Sequence, residues 1–228
     1  MNNPPLPNEQ LVPMERVAKF VRQLTHDVRN GLSAIDLETA FIAEIATDPE
    51  VHAEIRKLRE MVSETAKMLR RVSQHFQPAT VHPIPWAATT VIEELRKQLQ
   101  AEFPEEAPTV EFENQYGSET VSIDLVQTLA AVTAVLRNAF QFRQEAAVVR
   151  VIGTSQNGQT AIEVREPKVA LQNETPPEEW GIEPLRSTRP GGYGLGLHQA
   201  RQIAEAQGGR LETSFTGSEL VTRITLPR

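Results

Sequence analysis

Apolar residues recur every seven positions from Met14 onward. Met14, Val21, Val28, Ile35 and Ile42 form one line, and Val17, Leu24 and Ile45 form the line beside it, with Gly31 and Glu38 as its gaps. Two such lines make one stripe along a helix, the a and d positions of a coiled coil or bundle. Thr47-Asp48-Pro49-Glu50 interrupts the stripe with turn residues. A second striped segment follows through Val51, Ile55, Leu58, Val62, Leu69, Val72 and Phe76, with Thr65 as its polar member, and Gln77-Pro78 closes it. The pattern predicts a helical hairpin over 14–77. Each helix would be roughly 45 Å long at about 1.5 Å per residue. Two helices alone have too few neighbours to cover both stripes. A four-helix bundle built from two copies of the chain resolves this. An intramolecular bundle, or a hairpin packed on the rest of the chain, is the alternative.

Past a proline-rich linker at 78–85 the period changes. Residues 86–100 read as a helix, 109–113 and 119–122 as short strands, and 124–142 as a long apolar helix. Residues 147–152 and 161–164 alternate like strands. A glycine-rich stretch then leads into a helix over 197–207, which Gly208-Gly209 stops, and strands follow at 211–215 and 221–226. The fold class is α+β, with a second domain over 86–228. Residues 1–13, polar and proline-rich, read as a disordered tail.

Composition narrows the chemistry. The chain has no cysteine, which excludes disulfides, thiolate metal sites and cysteine nucleophiles and suits a reducing cytoplasm. A formal net charge of −7 disfavours nucleic acid and anionic membranes as partners. No apolar run approaches the ~20 residues that span a bilayer, so direct membrane insertion is not expected.

His26 takes the f position of the first helix, its outermost line. Asp27 is its neighbour, and Asn30 lies one turn on along the same face. An imidazole that acts as a nucleophile needs one nitrogen free and the other oriented. A nearby carboxylate can take the second N–H and stabilise positive charge as a phosphoryl group arrives. His52, His75, His82 and His198 read as ordinary surface or packing residues.

The string His26-Asp27-Val28-Arg29-Asn30-Gly31-Leu32 resembles the H box of sensor histidine kinases. Gly31 stands where that family often has proline; either weakens a helix, so a bend below the histidine is expected. The resemblance implies that His26 is the phosphoacceptor, Asp27 its acid/base partner, and Asn30 an amide that assists phosphatase chemistry. Further along, Gly191-Gly192-Tyr193-Gly194-Leu195-Gly196-Leu197 precedes a helix, where bare backbone N–H groups can approach phosphate oxygens. From Gly192 through Gly209 the sequence resembles the second glycine box of the histidine kinase ATPase domain, the Bergerat fold. Leu136-Arg137-Asn138-Ala139 resembles its N box, and Ile182-Glu183-Pro184-Leu185 its F box. The resemblance implies ATP and magnesium as cofactors. Asn138 would be a magnesium ligand, and Glu166, Gly191, Gly192, Gly194, Leu195 and Gly196 would join Asn138 in holding the nucleotide.

Two positions depart from that pattern. Ala134 stands where a second N-box asparagine or a Glu is usual. Glu166-Pro167-Lys168 replaces the start of the first glycine box, in which an Asp binds the adenine amine and glycines follow.

The leading reading is a homodimeric cytoplasmic histidine kinase. It would autophosphorylate on His26 and pass the phosphoryl group to an aspartate of a response regulator receiver domain, with any sensing element on a separate protein. The second reading is a histidine phosphotransferase whose kinase-like domain does not use ATP. The third is a dimeric scaffold that binds receivers and carries no phosphate.

Overall fold

The computed structural model describes residues 13–76, 79–144, 147–156, 159–171, 175–187 and 193–227. The expected tail, apart from Pro13, lies outside them. The chain divides into two compact units, Met1–Gln77 and Pro78–Arg228.

The first unit is an antiparallel hairpin of α1 (Met14–Ile45) and α2 (Pro49–His75). The Asp48 carboxylate accepts the Glu50 N–H at 2.8 Å, which caps the start of α2. The His52 ring donates from Nε2 to the Ala46 carbonyl at 3.1 Å, so this histidine closes the end of α1. Ala18, Thr25 and Thr39, seven and fourteen residues apart, are buried on α1, and Leu32 on the same line is half-buried. They meet Ile55 and Ser73, buried on α2, and the half-buried Val62, Leu69 and Val72. Arg59 Nε and Asp36 Oδ1, 2.9 Å apart, tie the two helices at the edge. Larger residues of the predicted stripe stay open, among them Leu24, Val28, Ile35, Ile42 and Ile45 on α1, with Val51 and Leu58 on α2. α1 continues as one helix through Gly31, where an added Cβ would meet nothing within 4 Å.

The second unit is a two-layer sandwich. A five-stranded sheet has the order β2-β4-β5-β7-β6, with β2 (Val110–Asn114), β4 (Val149–Gln156), β5 (Gln159–Pro167), β6 (Arg210–Phe215) and β7 (Glu219–Leu226). Only β2 and β4 run parallel; every other neighbour pair is antiparallel. Helices α3 (Ala88–Glu102), α4 (Leu125–Gln141) and α5 (Gly196–Ala206) bury their apolar faces with the sheet. Leu95, Leu99, Leu136 and Ile203 are fully buried in that core together with Val149, Ile162 and Leu211 of the strands. Burying side chains of this size contributes about 1.5–3 kcal/mol each.

One expected boundary changes. Ile84 and Pro85, read as the end of a linker, and Trp86, read as a helix start, lie in strand β1 (Ile84–Ala87), which pairs with β3 (Thr120–Ile123). Proline is tolerated because this ribbon has only two strands, each an edge. The helix begins two residues later, once Ala88 N–H has bonded the Glu119 carbonyl at 2.9 Å.

Polar anchors fix the ends of α4 and α5. Asp124 caps α4 by accepting Gln127 N–H at 3.1 Å, and its second oxygen accepts His82 N–H at 3.0 Å. Gln207, just past α5, accepts the Asp124 N–H at 2.6 Å and donates to the Ile203 carbonyl at 3.3 Å. On the sheet, Gly153 of β4 lies beneath the buried Tyr116 ring, whose hydroxyl donates to the Ala161 carbonyl at 2.8 Å. A Cβ at Gly153 would come within 2.4 Å of that ring. Gly153→Ala is therefore expected to cost about 1–3 kcal/mol through overpacking, read as a fall in the urea midpoint with unchanged slope.

Candidate functional site

His26 sits mid-helix on α1 with its side chain 64% exposed. Its Nδ1 lies 3.2 Å from Asp27 Oδ1 and 3.4 Å from Asn30 Nδ2. These neighbours ask for opposite states of that nitrogen, since a carboxylate accepts an N–H and an amide donor needs a bare nitrogen. The shorter contact and the charge favour Nδ1–H donating to Asp27. The lone pair then resides on Nε2, which has no partner among the described residues. Gln23, one turn before Asp27, donates its Nε2 to the same Asp27 oxygen at 3.0 Å. Hydrogen bonds from His26 and from Gln23 hold the Asp27 carboxyl below the usual carboxylate range. Sequence reasoning missed Gln23, although the i, i+4 spacing to Asp27 was the available signal. The structure brings His26, Asp27 and Asn30 together on one exposed helix face.

In the second unit, Asn138 of α4 and Glu166 of β5 line one small cavity, with Val135, Val164, Leu220 and Thr222 around them. Its volume is about 10 Å³, room for about one water. Glu166 is 2% exposed and Lys168 7% exposed, and the Lys168 ammonium donates to Glu166 Oε1 at 2.5 Å. The same ammonium donates to the Phe142 carbonyl, just past α4, at 3.2 Å. Burial pushes the Glu166 carboxyl up from its ordinary range, and the Lys168 hydrogen bond opposes that push. The sequence places Lys168 at the departure from the glycine pattern, but a residue type alone does not reveal where its ammonium goes.

Gly194, Leu195 and Gly196 are not among the residues that line this cavity. Gly191 and Gly192 fall outside the described residues. Gly194 has φ +62, and an added Cβ would strike the Arg186 carbonyl at 2.3 Å. Leu195 is buried, and Gly196 opens α5, whose first turn has no side-chain cap. Uncapped N–H groups there suit an anion. His198 contacts the carbonyls of Gly181 and Ile182 through Nδ1 at 3.0 and 3.1 Å, so it fastens the preceding loop to α5. The phosphate end of the expected nucleotide site is thus compatible with its ligand. The base end does not fit as it stands: the carboxylate that would receive an adenine amine is already bonded to Lys168, and the cavity it lines among the described residues has room for about one water.

No family model matches the chain, and no curated protein sequence matches it. Solved structures do. Full-length ShkA in complex with AMPPNP superposes with a TM-score of 0.66 at 15% identity, over 92% of this chain and 46% of that one. The histidine kinase ThkA in complex with the response regulator protein TrrA gives 0.58 at 15% identity, over 93% and 63%. The Acinetobacter baumannii histidine kinase AdeS gives 0.51 at 17% identity, over 89% and 97%. This chain thus spans about half the length of ShkA. At such identities the likeness is one of fold, and the fold is that of a histidine kinase core. A helical hairpin of the dimerisation and phosphotransfer type precedes an ATPase-like sandwich. Among the described residues no helix is long and apolar enough to cross a membrane.

Lys168→Met is expected to destabilise the second unit by about 3–5 kcal/mol, because it leaves a buried carboxylate unpaired. Glu166→Gln/Lys168→Met should recover most of that loss. The sign with pH is fixed. A carboxyl whose folded value is raised contributes stability below its unfolded value and loses it as pH rises through the folded one. The deficit of Lys168→Met in urea unfolding should therefore shrink as the buffer is made more acid.

Proposed function

We propose that this chain is a two-component phosphotransfer protein in which His26 carries the phosphoryl group and exchanges it with a receiver-domain aspartate. One observation carries the reading: an exposed imidazole whose Nδ1 is held by Asp27 at 3.2 Å, leaving Nε2 open. In the transfer step the Nε2 lone pair attacks phosphorus and an N–P bond forms. The bond from phosphorus to the aspartyl oxygen breaks, and the carboxylate leaves with the electron pair. The imidazole becomes cationic, its Nδ1–H retained against Asp27, whose charge stabilises it. The reverse sequence returns the group to a second receiver. Asn30 lies within reach of the same ring and is the side chain available to orient a water against a receiver phosphoaspartate.

The open stripe on the hairpin supports a homodimer. Leu24, Val28, Ile35 and Ile42 together form an apolar face that a second copy would cover in a four-helix bundle. A cysteine-free, acidic chain of this kind would work in the cytoplasm. The autokinase reading rests on the likeness to kinases, one of them solved with AMPPNP. The Lys168–Glu166 pair favours the transferase instead.

The test is incubation of the protein with a phosphorylated receiver domain. Acid-labile label should appear on the wild type and be absent from His26→Ala. Asp27→Asn should slow transfer by about 10²–10⁴-fold, the span of general acid–base assistance. Failure of every receiver tried to label a folded dimer would leave the scaffold reading. Label arriving from ATP alone and lost in His26→Ala would make the chain an autokinase.

A further inference from the structure

We propose that Lys168 is a built-in occupant of the base site in the second unit, and that the chain binds no adenine nucleotide while its pair with Glu166 is intact. Glu166 is the last inward-facing residue of β5 before Pro167 ends the strand. Lys168 follows at once, and its backbone N–H bonds the Ser218 carbonyl at 2.9 Å, which fixes the chain against the start of β7. From there the side chain crosses to the end of α4, where Nζ reaches the Phe142 carbonyl at 3.2 Å. Phe142 is one turn beyond Asn138, so the lysine spans from the strand that offers the acid to the helix that offers the amide. Two of the three ammonium protons are thereby used inside the fold.

The chemistry of displacement favours the resident group. An adenine amino group is a neutral donor, whereas the ammonium makes a charge-assisted bond, roughly twice as strong. A nucleotide would have to expel a paired cation and leave the Glu166 charge buried against a neutral partner. The cavity that Glu166 and Asn138 line, about 10 Å³, is too small for the ring while the pair is in place. Pro167 restricts the backbone at the hinge about which the lysine would have to swing out. This inference concerns the second unit alone and holds whether or not His26 is phosphorylated. Where His26 does carry phosphate, it follows that another phosphoprotein supplies it, a reaction of the phosphoaspartate-to-histidine class.

The experiment is calorimetric titration of the full chain with ADP and magnesium chloride. The wild type should give no saturable heat into the millimolar range. Lys168→Ala should gain binding by at least about tenfold. Glu166→Gln/Lys168→Ala buries no charge, so it folds even where the single variant does not; its amide oxygen can still accept the adenine amine, and it should bind as well. Saturable micromolar binding by the wild type would overturn the proposal. So would silence from a double variant whose thermal melt matches that of the wild type, because Lys168 would then not be what closes the site. Phosphotransfer from a labelled receiver, run on the same samples, reports on His26 separately.

Discussion

Two helices can cover only one face of each other. This geometric limit organises the hairpin. Its short residues, Ala18, Thr25 and Thr39 on α1, go inward against α2, because small side chains let the two backbones approach. Its long ones, Ile35, Ile42 and Ile45, stay outward and demand another surface. The remaining outward line belongs to neither contact, and it is the line that carries His26, Asp27 and Asn30. The His26 ring stays in water because the face of α1 packed on α2 is a different one.

The second unit meets the opposite problem. Its central strand, β5, lies between β4 and β7, so charged residues buried on it must find partners. Glu163 does so with Arg165 at 2.6 Å and Arg223 at 3.1 Å on one face of the sheet. Glu166 does so with Lys168 on the other. In each case the carboxylate is tolerated because its charge is matched within the fold. The difference lies in position: the Glu163 cluster decorates the outer face of a sheet, while the Glu166 pair sits beside the amide of α4 at a recess that Glu166 and Asn138 both line.

Much of this was readable from residue order. The seven-residue period from Met14 to Ile42 gave the first helix and the series from Val51 to Phe76 the second, with the turn at Asp48-Pro49 between them, because a continuous stripe needs no tertiary information. The helix at 124–142 and the strand pairs after it were equally plain. Strand β1 was not, since Pro85 and the short run Ile84–Ala87 carry no periodic signal; only pairing with Thr120–Ile123 makes them a strand. For the sites, helical spacing alone set His26 and Asn30 on one face with Asp27 at its flank. What spacing did not reveal was Gln23 steadying Asp27, nor the destination of the Lys168 ammonium, which depends on a carbonyl 26 residues away in sequence.

The buried pair also bears on history. Glutamate and lysine here stabilise the fold only together. A lineage that lost either one would carry an orphaned charge or an unfilled gap until the other changed too. An open recess is therefore reached only by changing both residues together. Such an arrangement works as a ratchet: with the lysine settled against the acid, neither residue can change alone without leaving a buried group unmatched.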